Sequence, residues 1–333
     1  MVFPQSFVIE SGECELLPHS RGVILRKRER ASYKTLLMAP QIVLTGNFGR
    51  PLAIGADPLK VRHYRGDVRV RRSTDRLHPG LECINHVDAF NYVVSVVGSE
   101  STPEFKREAL KAQAVLVFTR LQTRDRRKPL DDTTQEMAYL GSDYVRPEVL
   151  DAVRQIHGQK LLYAGRPARV FFHASCAGRT STGEAVFGKP AAALKYLVSV
   201  PCDYCKGSPL YKQTVTQIPL ERFTREIAID IPKVLKSDRA NRPELVELNK
   251  SGRNETLSGY QLWMQIGQKF GWDKAPGLRY ALARAGNNVM VKSSGGGHGV
   301  GLCQWGAQGL AEHGKTYDEI LKFYFPGCHL EAR

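Results

Sequence analysis

Two distant segments of this chain hold residue types that chemistry needs. In the first, Tyr92 to Gln122, a carboxyl at Glu100 lies between an apolar run (Val93, Val94, Val96, Val97) and an alanine-rich stretch through Ala109, Ala112 and Ala114. A carboxyl kept neutral by apolar surroundings can act as a general acid, and once ionised as a base. Ser101 with Glu104, and Pro103 between them, form a capping-box pattern, which predicts Glu100 just ahead of a helix N-terminus. Desolvation there favours the protonated form and the helix dipole favours the ionised one. The plainer reading is a surface glutamate that helps cap the helix. In the second segment, Gly295 to Gly327, a glycine-dense loop carries His298 and runs through Gln304 and Trp305 into a small-residue helix. Glycine permits positive φ and close backbone approach to a ligand, so the loop reads as a binding surface. A structural turn is the bland alternative.

A third group is made of sulfur and imidazole. His173-Ala-Ser-Cys176 and Cys202-Asp-Tyr-Cys205 are two short clamps offering four ligands, the arrangement tetrahedral zinc favours. His173, Cys176, Cys202 and Cys205 are therefore the candidate zinc ligands. Four protein ligands leave no open position for water, so the role expected is structural, and no His-Glu-x-x-His supports a zinc peptidase. A disulfide, with His173 merely near the substrate, is a competing account. A Cys-x-x-Cys redox pair is another, although the flanks lack a thioredoxin-like pattern. The chain has seven cysteines, an odd number that excludes complete pairing within it. Cys14, Cys83, Cys303 and Cys328 read as buried free thiols.

The elements that must position these groups are mixed. Val23 to Leu25, Gln41 to Thr45, Tyr64 to Val70 and Leu81 to Asn85 read as strands, the earlier ones in a small β-rich lobe over residues 1–64. Pro147 to Ile156 has helical spacing with Gly158 as a stop, and Lys160 to Ala164 with Ala168 to Ser175 reads as a hairpin. Pro219 to Ile229 is helical, the polar stretch around Asp238 to Arg253 is expected to be flexible, and Ser258 caps a helix running to Lys269. Asn288 to Ser293 is a strand leading into the glycine loop. The fold class expected is α+β, with antiparallel strands and a catalytic cleft between the motif-bearing segments. A second domain spans 65–333.

The formal charge of +15 is concentrated in Arg26-Lys-Arg28, Arg62 to Arg76 and Arg124 to Lys128. Such clusters are usually solvated faces; functionally they attract a polyanion. Nothing resembles an RNA- or DNA-binding signature, so an anionic cell-wall surface is the better partner. No apolar run is long enough to span a bilayer, and the start, Met1 to Pro18, shows no basic region followed by an apolar core.

Taken together, the motifs resemble the SpoIID/LytB family of sporulation lytic transglycosylases and amidase enhancers. The carrying residues are Val97-Gly-Ser-Glu100, Glu108-Ala-Leu-Lys-Ala-Gln-Ala-Val115 and Gly297-His-Gly-Val-Gly-Leu-Cys-Gln-Trp-Gly-Ala307. Tyr317 to Leu321, Phe323 to Gly327, Gly178-Arg-Thr180 and Tyr196-Leu197 add to them, and the order fits from about Arg65 to Gly327. The resemblance implies cleavage of the β-1,4 bond between N-acetylmuramic acid and N-acetylglucosamine in glycan strands stripped of stem peptides. Glu100 would be the single acid/base, and the products would carry 1,6-anhydro ends. His298, Gln304, Gln113, Lys111, Trp305 and Arg179 would bind substrate; a solvated glutamine or lysine and a packed aromatic are the plain alternatives for Gln113, Lys111 and Trp305. An extracytoplasmic location is also implied, as is a second role: binding peptidoglycan without cutting it and stimulating a cell-wall amidase. Departures are Phe118 where the family helix carries arginine, Arg120 for tyrosine, Cys303 for serine and Trp305 for tyrosine. Arg120, two residues beyond Phe118, is expected to face another side of the helix.

Overall fold

The computed structural model describes residues 13–46, 49–55, 60–75, 79–132, 136–250 and 252–331. The first twelve residues, which open the stretch read for a leader, and Arg76 of the second basic cluster lie outside these. The chain divides into two units, Met1–Val96 with Arg126–Val145, and Val97–Asp125 with Arg146–Arg333.

Alternating apolar residues build the first unit. Strands β1 (Cys14–His19), β2 (Gly22–Glu29) and β3 (Ser32–Ala39) form an antiparallel meander in that order. Then come β4 (Gln41–Thr45), β5 (Leu52–Ile54), β6 (Arg62–Tyr64), β7 (Asp67–Arg72) and β8 (Leu81–His86), with β4-β7-β8 as one antiparallel sheet and β5 paired to β6. Val23 and Leu25 on β2, Ile42 on β4, and Val68 and Val70 on β7 share one core. Arg69 and Arg71 alternate with the two β7 valines and stay exposed, as a period of two requires.

The run Val93 to Val97 is helical, on α1 (Ala89–Glu100), and its four valines are buried. Glu100 therefore closes a helix, where the capping-box pattern placed it ahead of one. The hydroxyl of Ser101 explains the difference: it donates back to the Val97 carbonyl at 2.5 Å and is not available to the next helix. That helix, α2 (Arg107–Thr123), starts six residues later, after the turn that contains Pro103, and has no side-chain cap at Lys106.

The second unit continues with α3 (Pro147–Gln155) and a tight hairpin of β9 (Leu161–Tyr163) and β10 (Arg166–Pro167). Next are β11 (Phe172–His173), α4 (Gly183–Phe187), α5 (Lys189–Ala192), β12 (Thr214–Pro219) and α6 (Leu220–Glu226). The stretch expected to be flexible is instead largely sheet: β13 (Lys233–Ser237), β14 (Pro243–Lys250) and β15 (Arg253–Ser258) pair antiparallel. Val246 and Leu248 decide it, since both are buried while Leu245, Glu247 and Asn249, which alternate with them, are exposed or half-buried. A capping box of Ser258 and Gln261 opens α7 (Gly259–Phe270). Strands β16 (Arg279–Ala285) and β17 (Asn288–Ser294) join β12 in the order β12-β17-β16. The chain ends with β18 (Leu302–Cys303), α8 (Gln304–Glu312), α9 (Tyr317–Tyr324) and β19 (His329–Leu330). β11 and β18 pair in parallel, with His173 opposite Cys303. Helix α2 packs against α3, α8 and α9, and its residues from Ala109 to Thr119 are buried apart from Lys111. Small side chains on α2 and α8 permit that close approach. The fold is α+β with antiparallel sheets.

Candidate active site and metal centre

Glu100 and Gln304, which the sequence places in separate motifs, meet. The Gln304 side-chain amide, on the first residue of α8, donates to the Glu100 carbonyl oxygen at 3.2 Å and to its carboxyl Oε2 at 3.4 Å. Glu100 lies at the C-terminal end of α1, where the helix dipole disfavours negative charge. A pocket beside the pair is lined by Phe105, Gln113, Leu302 and Ala307 as well. Gln113 is only 4% exposed, yet neither its amide oxygen nor its nitrogen has a hydrogen-bond partner among the described residues. A buried amide unmet at both ends is destabilising unless a ligand or water completes it.

Two residues that the sequence reading overlooked hold the turn after Glu100. Gln308 accepts from the Lys106 amide at 2.6 Å and donates to the Glu104 carbonyl at 3.2 Å. It lies one helical turn beyond Gln304, so the i, i+4 spacing was the available signal. Arg146 donates to the Ser101 hydroxyl at 3.0 Å and to the Thr102 and Gly98 carbonyls at 3.2 and 3.4 Å. No local pattern marks Arg146, which stands at the N-cap position of α3.

The remaining candidates are distributed differently. His298 is not among the residues lining the Glu100 pocket. Its ring packs near Phe187, His173 and Phe171, with centroids 5.3, 5.7 and 6.0 Å away. Its Nδ1 accepts from the Val300 amide at 3.1 Å, which leaves the proton on Nε2. Burial, then the positive charges of Arg242 and Arg120, push its pKa down to about 3, so the ring is neutral. The charge of Arg120 on α2 is thus felt at the glycine loop. Phe118 is buried and meets His157 edge-on, centroids 5.5 Å apart. Trp305 is edge-on to Phe105 at 5.4 Å. Lys111 is ion-paired with Glu108 at 2.7 Å. The Arg179 carbonyl accepts from the Arg242 guanidinium at 2.9 Å. At Gly299, φ is +81° and a Cβ would fall on that same guanidinium, so packing alone requires glycine there.

The sulfur atoms of Cys176, Cys202, Cys205 and Cys303 are buried and lie within 4.8 Å of one another. This set could hold a metal ion. Cys303 occupies the fourth place in the quartet, where the spacing argument put His173. His173 turns its Nδ1 to the Val300 carbonyl at 3.1 Å, and its Nε2 is buried with no partner among the described residues. Hydrogen bonds from the Cys176 and Cys202 thiols hold the Cys205 thiol well below its ordinary range. Cys303, expected to be an isolated buried thiol, was hidden because it is 127 residues from Cys176 and belongs to no short clamp.

The family model described as stage II sporulation protein, SpoIID, matches residues 78–163. An uncharacterised protein of Brachyspira hyodysenteriae is 30% identical over 266 residues, which is 74% of this chain and 67% of that protein. The stage II sporulation protein D of Bacillus subtilis is 28% identical over 307 residues, covering 84% of this chain and 83% of its own length. An amidase enhancer of Bacillus subtilis is 50% identical over 46 residues, 14% of this chain and 6% of the enhancer. On the extent of these matches and the motifs they accompany, the chain belongs to the SpoIID family.

Proposed function

We propose that the protein is a lytic transglycosylase of peptidoglycan, a carbon–oxygen lyase, and that Glu100 is its single acid and base. The observation carrying this reading is the Gln304 amide on the Glu100 carboxyl, which joins the two motif-bearing segments. Protonated Glu100 gives its proton to the glycosidic oxygen as the bond to the anomeric carbon breaks. The muramic 6-hydroxyl oxygen then bonds to that carbon, and its proton returns to Glu100. No water is consumed, so one carboxyl suffices where hydrolytic glycosidases use two.

Gln113 lines the narrow space beside Glu100, and Gln304 orients the carboxyl toward the sugar. Trp305 and Phe105 offer an aromatic edge to it. His298, neutral in this environment, Arg179 and Lys111 belong to the wider binding surface. Zinc on the cysteine quartet is a structural ion in this reading, outside the chemistry. The substrate places the protein in an extracytoplasmic, cell-wall setting.

A second reading is a peptidoglycan-binding module that stimulates an amidase. Phe118 in the family's arginine position favours it, as does the segment similar to an amidase enhancer. Denuded glycan strands incubated with wild type and with Glu100→Gln separate the two by mass spectrometry. The enzyme yields anhydro-muramic ends that fall at least about a hundredfold in the variant. Binding without any cleavage by wild type supports the module.

A further inference from the structure

We infer that Cys176, Cys202, Cys205 and Cys303 bind one zinc ion as thiolates, and that this centre sets Gln304 against Glu100. The catalytic half of the inference rests on the transglycosylase reading; the metal half does not.

The donor set fits the ion. Tetrahedral zinc with sulfur at about 2.3 Å needs sulfurs about 3.8 Å apart. The Cys176 and Cys205 sulfurs are 3.5 Å apart, and all four lie within 4.8 Å. Donors are already aimed at the sulfurs, as thiolate ligands require. The Cys176 and Gly306 amides reach the Cys303 sulfur at 3.2 and 3.3 Å, and the Tyr324 hydroxyl is 3.1 Å from the Cys202 sulfur. With the ion bound all four cysteines are thiolates, any remaining thiol protons going to solvent, which leaves a net charge of −2 on the cluster. Arg242 supplies nearby positive charge. It is 2% exposed, its guanidinium donates to the Cys176 carbonyl at 2.7 Å, and among the described residues its Nε has no hydrogen-bond partner.

Cys303 couples this centre to the carboxyl. It is the N-cap of α8, its sulfur accepting from the Gly306 amide, and the next residue is Gln304. Fixing that sulfur fixes the first turn of α8, and with it the amide that reaches Glu100. The Trp305 amide adds a second tie, donating to the Ala174 carbonyl at 3.1 Å, two residues before Cys176. Cys303 is therefore a positioning residue.

The test uses the full chain, purified without chelator, with metal content by mass spectrometry and spectra after cobalt replacement. Wild type is expected to carry one zinc per chain, and its cobalt form to show thiolate charge-transfer and tetrahedral d–d bands. Cys303→Ser and Cys205→Ser lose the ion or bind it at least tenfold more weakly, while His173→Asn keeps it. Removing zinc from wild type with a chelator speeds amide hydrogen exchange over 303–308 at least tenfold and leaves β16 and β17 unchanged. On denuded glycan, kcat falls at least tenfold in the zinc-free protein while KM stays within threefold.

Iron in place of zinc, disulfides among the four cysteines, an unchanged ion in Cys303→Ser, or loss of it in His173→Asn overturns the metal assignment. Unchanged exchange over 303–308 on zinc removal overturns the positioning role, and so does unchanged kcat. Should wild type with zinc release no anhydro ends, the transglycosylase reading fails, while metal content, spectra and exchange still decide the centre. The chelator arm needs no variant, so a misfolded cysteine mutant leaves the inference testable.

Discussion

Gln304 is the residue on which the proposed chemistry turns most sharply. A hydrogen bond to an ionisable partner contributes about 1.5–3 kcal/mol, so Gln304→Ala is expected to lower kcat roughly tenfold to a hundredfold. Steady-state kinetics on denuded glycan check this, and a kcat within twofold of wild type removes Gln304 from the site. His298 makes a different prediction, about pH. Its folded pKa is near 3, against about 6.5 for an unperturbed histidine. Between those values the unfolded chain binds a proton that the folded chain does not, so stability falls as pH drops from about 6.5 toward 3. Arg242, Arg120 and His173 are the charged or titratable groups that face it. Allowing for the ring's partial exposure, His298→Asn should recover about 1 kcal/mol of the loss between pH 6.5 and 5. Thermal denaturation across that range tests it; parallel pH curves for the two proteins would refute it. Both residue types could be read from the chain. Which of them met Glu100 could not, because a loop pattern carries no record of what it faces.

Helix α8 shows how an element is specified by what surrounds it. Gln304 and Gln308 present one polar face to the turn after Glu100, while Gly306 and Gly309 let neighbouring chain approach on other sides. A Cβ at Gly309 would overlap the carbonyl oxygen of Tyr204. Helix propensity alone favours alanine over glycine by about 1 kcal/mol. The clash is with backbone, so packing wins, and Gly309→Ala is expected to destabilise the protein by about 1–3 kcal/mol. Chemical denaturation measures it; a stabilised variant would show that the contact relaxes freely. The Ser101 motif teaches the same lesson in reverse. Its spacing was that of a capping box, yet its hydroxyl bonds the helix it follows. The Ser258 box, with the same logic, does cap its helix. Local spacing names the donors and acceptors, and packing chooses between the helices on either side.

At the scale of the molecule, the charge of +15 outlasts several local pairings. Arg26, Arg28 and Arg62 meet Glu15, Glu13 and Asp132 at 2.6, 3.0 and 3.3 Å, and Arg71 meets Glu82. The basic clusters are thus partly neutralised in place, and what remains is a long-range field sensitive to salt. Binding to sacculi bearing anionic polymers is expected to weaken at least about tenfold between 0.05 and 0.5 M salt. Binding to uncharged chitin-type oligosaccharides should change less than about twofold. Sedimentation with sacculi measures the first and calorimetry the second; equal salt dependence would remove the electrostatic contribution. No helix among the described residues is long and apolar enough to cross a membrane.

From the amino-acid order alone came the α+β class, the β-rich start, most helices and strands, and the family, because each rests on local periodicity or on short motifs. Glu100 and Gln304 could be named the same way. Tertiary structure alone decided that Gln304 bonds Glu100 across 204 positions and that Cys303, not His173, completes the sulfur quartet. It also turned the charged stretch after Asp238 into a sheet. The physical reason is common to all three. Burial and close contact join positions far apart in the chain, and no local pattern encodes which of several chemically suitable partners the packing will bring within reach.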